Sequence, residues 1–195
     1  MAALALTLFS AFTFLGGYKV GDKATDFKLK NVDDNMVALA DYKDAKGIIL
    51  VFTCNHCPFA KKYESRIMDL DKKYKAKGFP VVAISPNDPV LEPTDSFENM
   101  QKRAKEKGYS FPYLIDETQN IAKAYGATKT PHVYVLEKQQ DQYVVRYIGA
   151  IDDNHEDAAA VKEKYVENAV NNIIAGKPVT PETTKAIGCG IKWKS

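Results

Sequence analysis

The stretch 51–59, "VFTCNHCPF", sets Cys54 and Cys57 three positions apart where an apolar run gives way to polar sequence. The run before them, "GIILVFT" at 47–53, is short, continuous and rich in β-branched residues, as a strand buried on both faces should be. The run after them, "PFAKKYESRIMDLDKKYKAKG", spaces Phe59, Tyr63, Ile67, Leu70 and Tyr74 along one helix face. Pro58 suits its first turn and Gly78 its end. The two cysteines therefore stand where a buried strand turns into a helix.

That position separates the uses of such a pair. Structural zinc needs two more ligands, and the candidates His56, His132, His155 and Cys189 are scattered and form no second pair. Attachment of a c-type haem needs His directly after the second cysteine, where Pro58 stands. A purely structural disulfide closing so small a loop constrains the unfolded chain little. A working dithiol has a mechanism. Sulfur at a helix N-terminus meets unpaired N–H groups and the positive end of the helix dipole, which favour the thiolate. Cys54, on the strand side, is expected to be the exposed attacker, and Cys57, one turn into the helix, the resolving thiol. His56 between them favours a thiolate when protonated, or is a solvated loop residue.

Outward from the pair, strand and helix patterns alternate. "PVVAISP" (80–86) reads as a second buried strand, and "DSFENMQKRAKEKG" as a helix capped by Thr94 or Asp95 with Phe97, Met100 and Ala104 on one face. "FPYLID" is a short strand, "TQNIAKAYG" a helix ending at Gly126, and "HVYVLEK" with "QYVVRYIGA" a hairpin about "QQDQ". "DAAAVKEKYVENAVNNIIAG" (157–176) reads as a long amphipathic helix, and "FKLKNVDDNMVALADYK" as an N-terminal hairpin beside the main sheet. The order βαβα, βα, ββα predicts an α/β fold with some parallel strands. "TPETTKAIGCGIKWKS" has no period and reads as an extended tail. Within it Cys189, between two glycines, is either a third redox sulfur or a small residue packed near Trp193.

The chain has 195 residues, 45% of them hydrophobic and 27% charged, with a net charge of +2. That composition suits one domain with a well-buried core and offers no basic face for nucleic acid. The expected organisation is a leader over 1–17, a domain over 18–178 and a tail over 179–195. The leader, "MAALALTLFSAFTFLGG", is too short to span a membrane, which takes about 20 apolar residues. It fits the apolar part of a secretory signal, though it lacks a basic start. Export to the periplasm or the medium is the expectation, with a cytoplasmic protein bearing an amphipathic or buried first helix as the alternative.

Far along the chain, "GATKTPHVYVL" puts Thr130-Pro131 just before a strand. A strand–CxxC–helix followed by "TP" before a late strand resembles the thioredoxin superfamily. The resemblance implies a three-layer α/β/α sandwich with a mixed central sheet. It also implies a cis Pro131 lying against the cysteines and a neighbouring backbone left to pair with substrate. "FTCNHCPF", "FPYLIDETQNIAKAYGA", "TPHVYVL" and "IGCGIKW" together look like the redoxin group of peroxiredoxin-like proteins, the alkyl hydroperoxide reductase/thiol-specific antioxidant family, over about residues 18–193. One departure matters. Peroxiredoxins carry P-x-x-x-T-x-x-C, whereas here Thr53 directly precedes Cys54 and Ile49 stands four residues before it.

The resemblance implies a thiol–disulfide oxidoreductase with Cys54 attacking and Cys57 resolving. Thr53, Asn55, His56, Pro58, Thr130 and Pro131 would line or modulate the groove. The substrate would be a disulfide-bearing protein or small molecule, and a thiol protein would donate electrons. No metal, flavin or nucleotide is implied. The alternatives are a peroxidase using Cys54 on hydroperoxides, and a binding or zinc-holding module on the same fold.

Overall fold

Gly47–Phe52 (β3) is buried at every position, and its alternation decides the layering. Ile49 and Val51 point to one side of the sheet, and Ile48, Leu50 and Phe52 to the other, so both faces must be covered. The computed structural model describes residues 16–195; the leader expected over 1–17 falls almost wholly outside them.

Seven strands form the main sheet: Lys28–Asn31 (β1), Met36–Ala38 (β2), β3, Val81–Ser85 (β4), Tyr113–Ile115 (β5), His132–Gln139 (β7) and Gln142–Gly149 (β8), in the order β2-β1-β5-β4-β3-β7-β8. Lys129–Thr130 (β6) lies outside it and pairs with Cys189–Gly190 (β9). β4 runs parallel to β3 and to β5, while β7 runs antiparallel to both β3 and β8. The mixed sheet matches the expected class. The expected N-terminal hairpin, β1–β2, joins the sheet through β1 and β5 rather than standing beside it.

One face carries Pro58–Tyr74 (α1), Phe97–Lys107 (α2) and Tyr165–Ile174 (α4). Tyr63, Ile67, Leu70, Met100, Val166 and Val170 bury there against Ile49, Val51, Val81 and Val135. The other face carries Asn120–Tyr125 (α3) and the N-terminal segment, where Tyr18, Phe27 and Tyr125 close over Leu50, Phe52 and Ile84. α1 is also fastened by a buried polar group: Asp71 accepts from the backbone N–H of Val81 at 3.0 Å and from Ser110 Oγ at 2.8 Å. Gly126 ends α3 with φ +74° and packs so tightly on Gly17 that a Cβ there would stand 2.5 Å from the Gly17 Cα.

Two boundaries depart from the sequence reading. The helix expected over 157–176 begins at Tyr165. Asp157 caps a short 3-10 turn at Ala158–Ala160, and Asp153 then holds the chain extended, donating to Glu163 O at 3.1 Å and accepting from Lys162 N at 3.0 Å. The three alanines are exposed, so helix there would bury nothing to offset its ordering. The cap of α2 is Ser96, which accepts from Asn99 N, rather than Thr94 or Asp95.

The double-sided burial of β3 has a measurable consequence. Ile49→Ala removes three carbons beneath α1 and α4, and urea unfolding should show a loss of about 2–5 kcal/mol. A loss below 1 kcal/mol would mean the helices collapse into the gap.

Candidate active site at the strand–helix junction

Beyond Phe52 the chain leaves the sheet with Thr53, whose N–H still bonds Ile84 O at 2.9 Å. Residues 54–57 make the turn, Cys57 is the N-cap of α1, and Pro58 is its first residue. Antiparallel pairing of Phe52 with His132 brings Thr130 and Pro131 over this turn. The Thr130–Pro131 bond is cis, as the resemblance implies. Thr130 contacts both thiols: its Oγ1 lies 3.1 Å from Cys54 Sγ, and its carbonyl accepts from Cys57 Sγ at 3.1 Å. Both cysteines are free and buried, Cys54 3% exposed and Cys57 fully covered. Cys189, half-buried, donates its backbone N–H to Cys57 Sγ at 3.3 Å.

The turn is held by Asp95, a carboxylate with no exposure at all. It accepts from the backbone N–H of Asn55 at 2.6 Å and of His56 at 3.1 Å, from His56 Nδ1 at 2.6 Å and from Asn87 Nδ2 at 2.7 Å. Asn55 is fixed from its other side by Tyr113 Oη at 3.0 Å and by donating to Thr94 O at 2.9 Å. A buried carboxylate is costly unless its oxygens are hydrogen-bonded, and here both oxygens accept.

Charge is distributed unequally over the two sulfurs. Hydrogen bonding from Cys54 holds Cys57 well below the usual thiol range against the cost of burial, assisted by the Cys189 thiol and the N–H groups of Ala60 and Cys189. Cys54 is pushed up, first by its bond with Cys57, then by burial and by the negative Asp95. The pair thus shares one negative charge. The sequence reading placed it on an exposed Cys54; in the folded site the N–H donors converge on Cys57, and Cys54 is itself buried, with 3% exposure, because Thr130 lies over it. Two contacts favour the other arrangement, in which the proton sits on Cys57. The Thr130 carbonyl can only accept from that sulfur, and the Thr130 hydroxyl can donate to a Cys54 thiolate.

Of the residues singled out in the sequence, Thr53, Asn55, His56, Pro58, Thr130, Pro131 and Cys189 all gather here. His132 and His155 do not: His132 packs on Tyr134 in the sheet, and His155 on the Phe59 ring. Cys54, His56 and Asp95 bring ligand-type atoms within 4.8 Å of one another. His56 and Asp95, however, are bonded directly to each other, which leaves no gap for an ion between them. Asp95, Asn87 and Tyr113 were missed by sequence reasoning. Asp95 sits at a helix start, where an acidic residue already has a capping explanation.

Two outcomes follow from these environments. Asp95→Asn removes the negative charge that raises Cys54, so Cys54 should alkylate faster at fixed pH; an unchanged rate would remove Asp95 from the electrostatics of the pair. His132 is held neutral, its pKa lowered by burial from 6.5 to about 4, and its Nδ1 accepts from Thr128 N at 3.4 Å. A depressed folded pKa contributes stability that is present above pH 6.5 and lost as pH falls toward 4, about 3 kcal/mol in all. Urea titrations between pH 7 and 4 should show this loss in the parent and not in His132→Phe.

Comparison with known proteins agrees with this architecture. The model of the AhpC/TSA family matches residues 20–165. The thiol-disulfide oxidoreductase ResA of Geobacillus thermodenitrificans is 28% identical over 139 residues, covering 71% of this chain and 75% of that protein. A Mycobacterium tuberculosis protein assigned by name to the peroxiredoxins is 29% identical over 153 residues, covering 78% of this chain and 88% of that protein. The crystal structure of a conserved protein from Geobacillus kaustophilus superposes with a TM-score of 0.81 at 40% identity, over 90% of this chain and 93% of that one. With thioredoxin-like layers and a family match over most of its length, the chain belongs to the AhpC/TSA family.

Proposed function

We propose that the chain is a thiol–disulfide oxidoreductase in which Cys54 attacks and Cys57 resolves. One observation carries the reading: two free thiols pack together at the N-terminus of α1, and Thr130, beside Pro131, contacts both. In the arrangement with the proton on Cys57, which the two Thr130 contacts favour, the Cys54 thiolate attacks one sulfur of a substrate disulfide, forms the mixed disulfide and expels the other sulfur as a thiolate. Cys57 then loses its proton to that leaving thiolate and attacks Cys54 Sγ. The second substrate sulfur leaves, and the Cys54–Cys57 disulfide remains. Substrate gains two electrons, and a thiol protein must return them. Cys54 takes the first step because it alone of the pair retains exposure. The second step is short because the two sulfurs already interact.

The name of the ResA relative supports dithiol exchange, and so does Thr53 directly before Cys54, where peroxiredoxins space a Thr three residues ahead of their sulfur. The charge-free stretch before Lys19 supports export, so that exchange would occur in an oxidising compartment. Among the described residues no helix is long and apolar enough to cross a membrane.

The test compares two substrates. Reduced protein should reduce a model protein disulfide far faster than it consumes hydrogen peroxide. Cys54→Ser should abolish exchange, and Cys57→Ser should accumulate a mixed disulfide on Cys54. Peroxide consumption outrunning exchange would reassign the site to a peroxidase.

A further inference from the structure

The segment after Pro181 returns to the site and takes a specific seat. Gly190 pairs with Lys129 and Cys189 with Thr130, an antiparallel ladder on the residues directly before Pro131. Gly188 presses on Thr130 so closely that a Cβ would stand 2.2 Å from the Thr130 carbonyl oxygen, so a residue without Cβ is needed there. Beyond β9, Lys192 N donates to Asn87 Oδ1 at 2.8 Å, and its carbonyl accepts from Asp88 N at 3.0 Å and Gln119 Nε2 at 2.7 Å. Asn87 in turn bonds Asp95, so the segment is tied to the same buried carboxylate that shapes the turn. The result is a third thiol held against the covered sulfur of the pair, with its N–H on Cys57 Sγ.

We propose that Cys189 is a third redox sulfur that acts on Cys57, taking over the disulfide of the pair; this rests on the dithiol reading above. In the oxidised protein the Cys189 thiolate attacks Cys57 Sγ. The Cys54–Cys57 bond breaks, a Cys57–Cys189 bond forms, and Cys54 leaves as a thiolate that takes up the proton Cys189 lost. No electrons enter or leave: the oxidation moves one sulfur along. Cys54 is thereby returned as a nucleophile while the protein still stores two oxidising equivalents.

The attack is timed by charge. Cys189 is raised to about 11 by burial and then by the hydrogen bond and negative charge of Cys57. Once Cys57 is in a disulfide its charge is gone, and Lys129 and Lys192 remain to favour the Cys189 thiolate. Cys189 is therefore quiet beside the reduced pair and more reactive beside the oxidised one.

Disulfide mapping tests this on the full chain. Cys54→Ser protein, oxidised with one equivalent of diamide at low concentration and alkylated in acid, should yield a monomer with an intramolecular Cys57–Cys189 disulfide. Adding Gly188→Val, which unseats the segment, should slow formation of that bond about tenfold or more, because the loss of tethered contact lowers the effective concentration. Two free thiols, intermolecular dimers alone, or an unchanged rate with Gly188→Val would overturn the proposal. Formation of the Cys54–Cys57 disulfide in a Cys189→Ser chain reports on the dithiol reading separately, so failure of one is distinguishable from failure of the other.

Discussion

The antiparallel pairing of β3 with β7 is the constraint on which the site depends. Its register runs from Gly47–Glu137 to Phe52–His132, so β7 begins where β3 ends. Thr130 and Pro131 are thereby set over residues 54–57, across more than seventy positions of sequence. β3 is covered on both faces, so a slip of one residue would exchange its two sets of apolar side chains and move Cys54 away from Thr130. Packing in the core and reach at the site are therefore fixed by the same ladder.

Polar groups then do locally what the sheet cannot. The turn between β3 and α1 presents backbone N–H groups that the sheet leaves unpaired, and Asp95 collects those of Asn55 and His56 on one oxygen. This arrangement has an electrostatic cost at the reactive sulfur: the carboxylate that shapes the turn also disfavours charge on Cys54. The Thr130 hydroxyl and the backbone N–H of Cys57, at the helix N-terminus, work in the opposite direction. The balance of these groups sets how the shared charge is divided, and it explains why the dithiol can be nearly buried and still ionise.

How far the sequence discloses this can be judged residue by residue. Cys54 and Cys57 were legible as a cysteine pair just after an apolar run, and Thr130 and Pro131 as a "TP" just before one. β3 and α1 were legible because their periods differ sharply. The N-terminal part of the 157–176 pattern misled because an alanine run satisfies helical spacing without requiring burial, and Asp153 draws that segment away. Asp95 was hidden by distance: it meets residues 55 and 56 from 39 to 40 positions along the chain, and nothing in "LEPTDSFEN" records the encounter. The same holds for the last segment. Its docking runs through backbone groups paired with Thr130, Asn87, Asp88 and Gln119, and backbone pairing leaves no side-chain period to read.

That docking also bears on which disulfides can reach Cys54. An extended substrate backbone would need the pairing groups of Lys129 and Thr130, and β9 already occupies them. A protein substrate that paired there, as the resemblance implies, would have to displace the Cys189–Gly190 ladder. A small disulfide needs access to Cys54 Sγ but no backbone pairing with Lys129 and Thr130. Since the ladder has only two residue pairs, its hydrogen bonds contribute little net stability, about 0.5–1.5 kcal/mol each. The bonds of Lys192 and Lys194 to Asn87, Asp88 and Gln119 lie beyond it and can remain while the ladder opens. Selection between substrate sizes then rests on how readily this short stretch lifts, with the segment still anchored on either side of it.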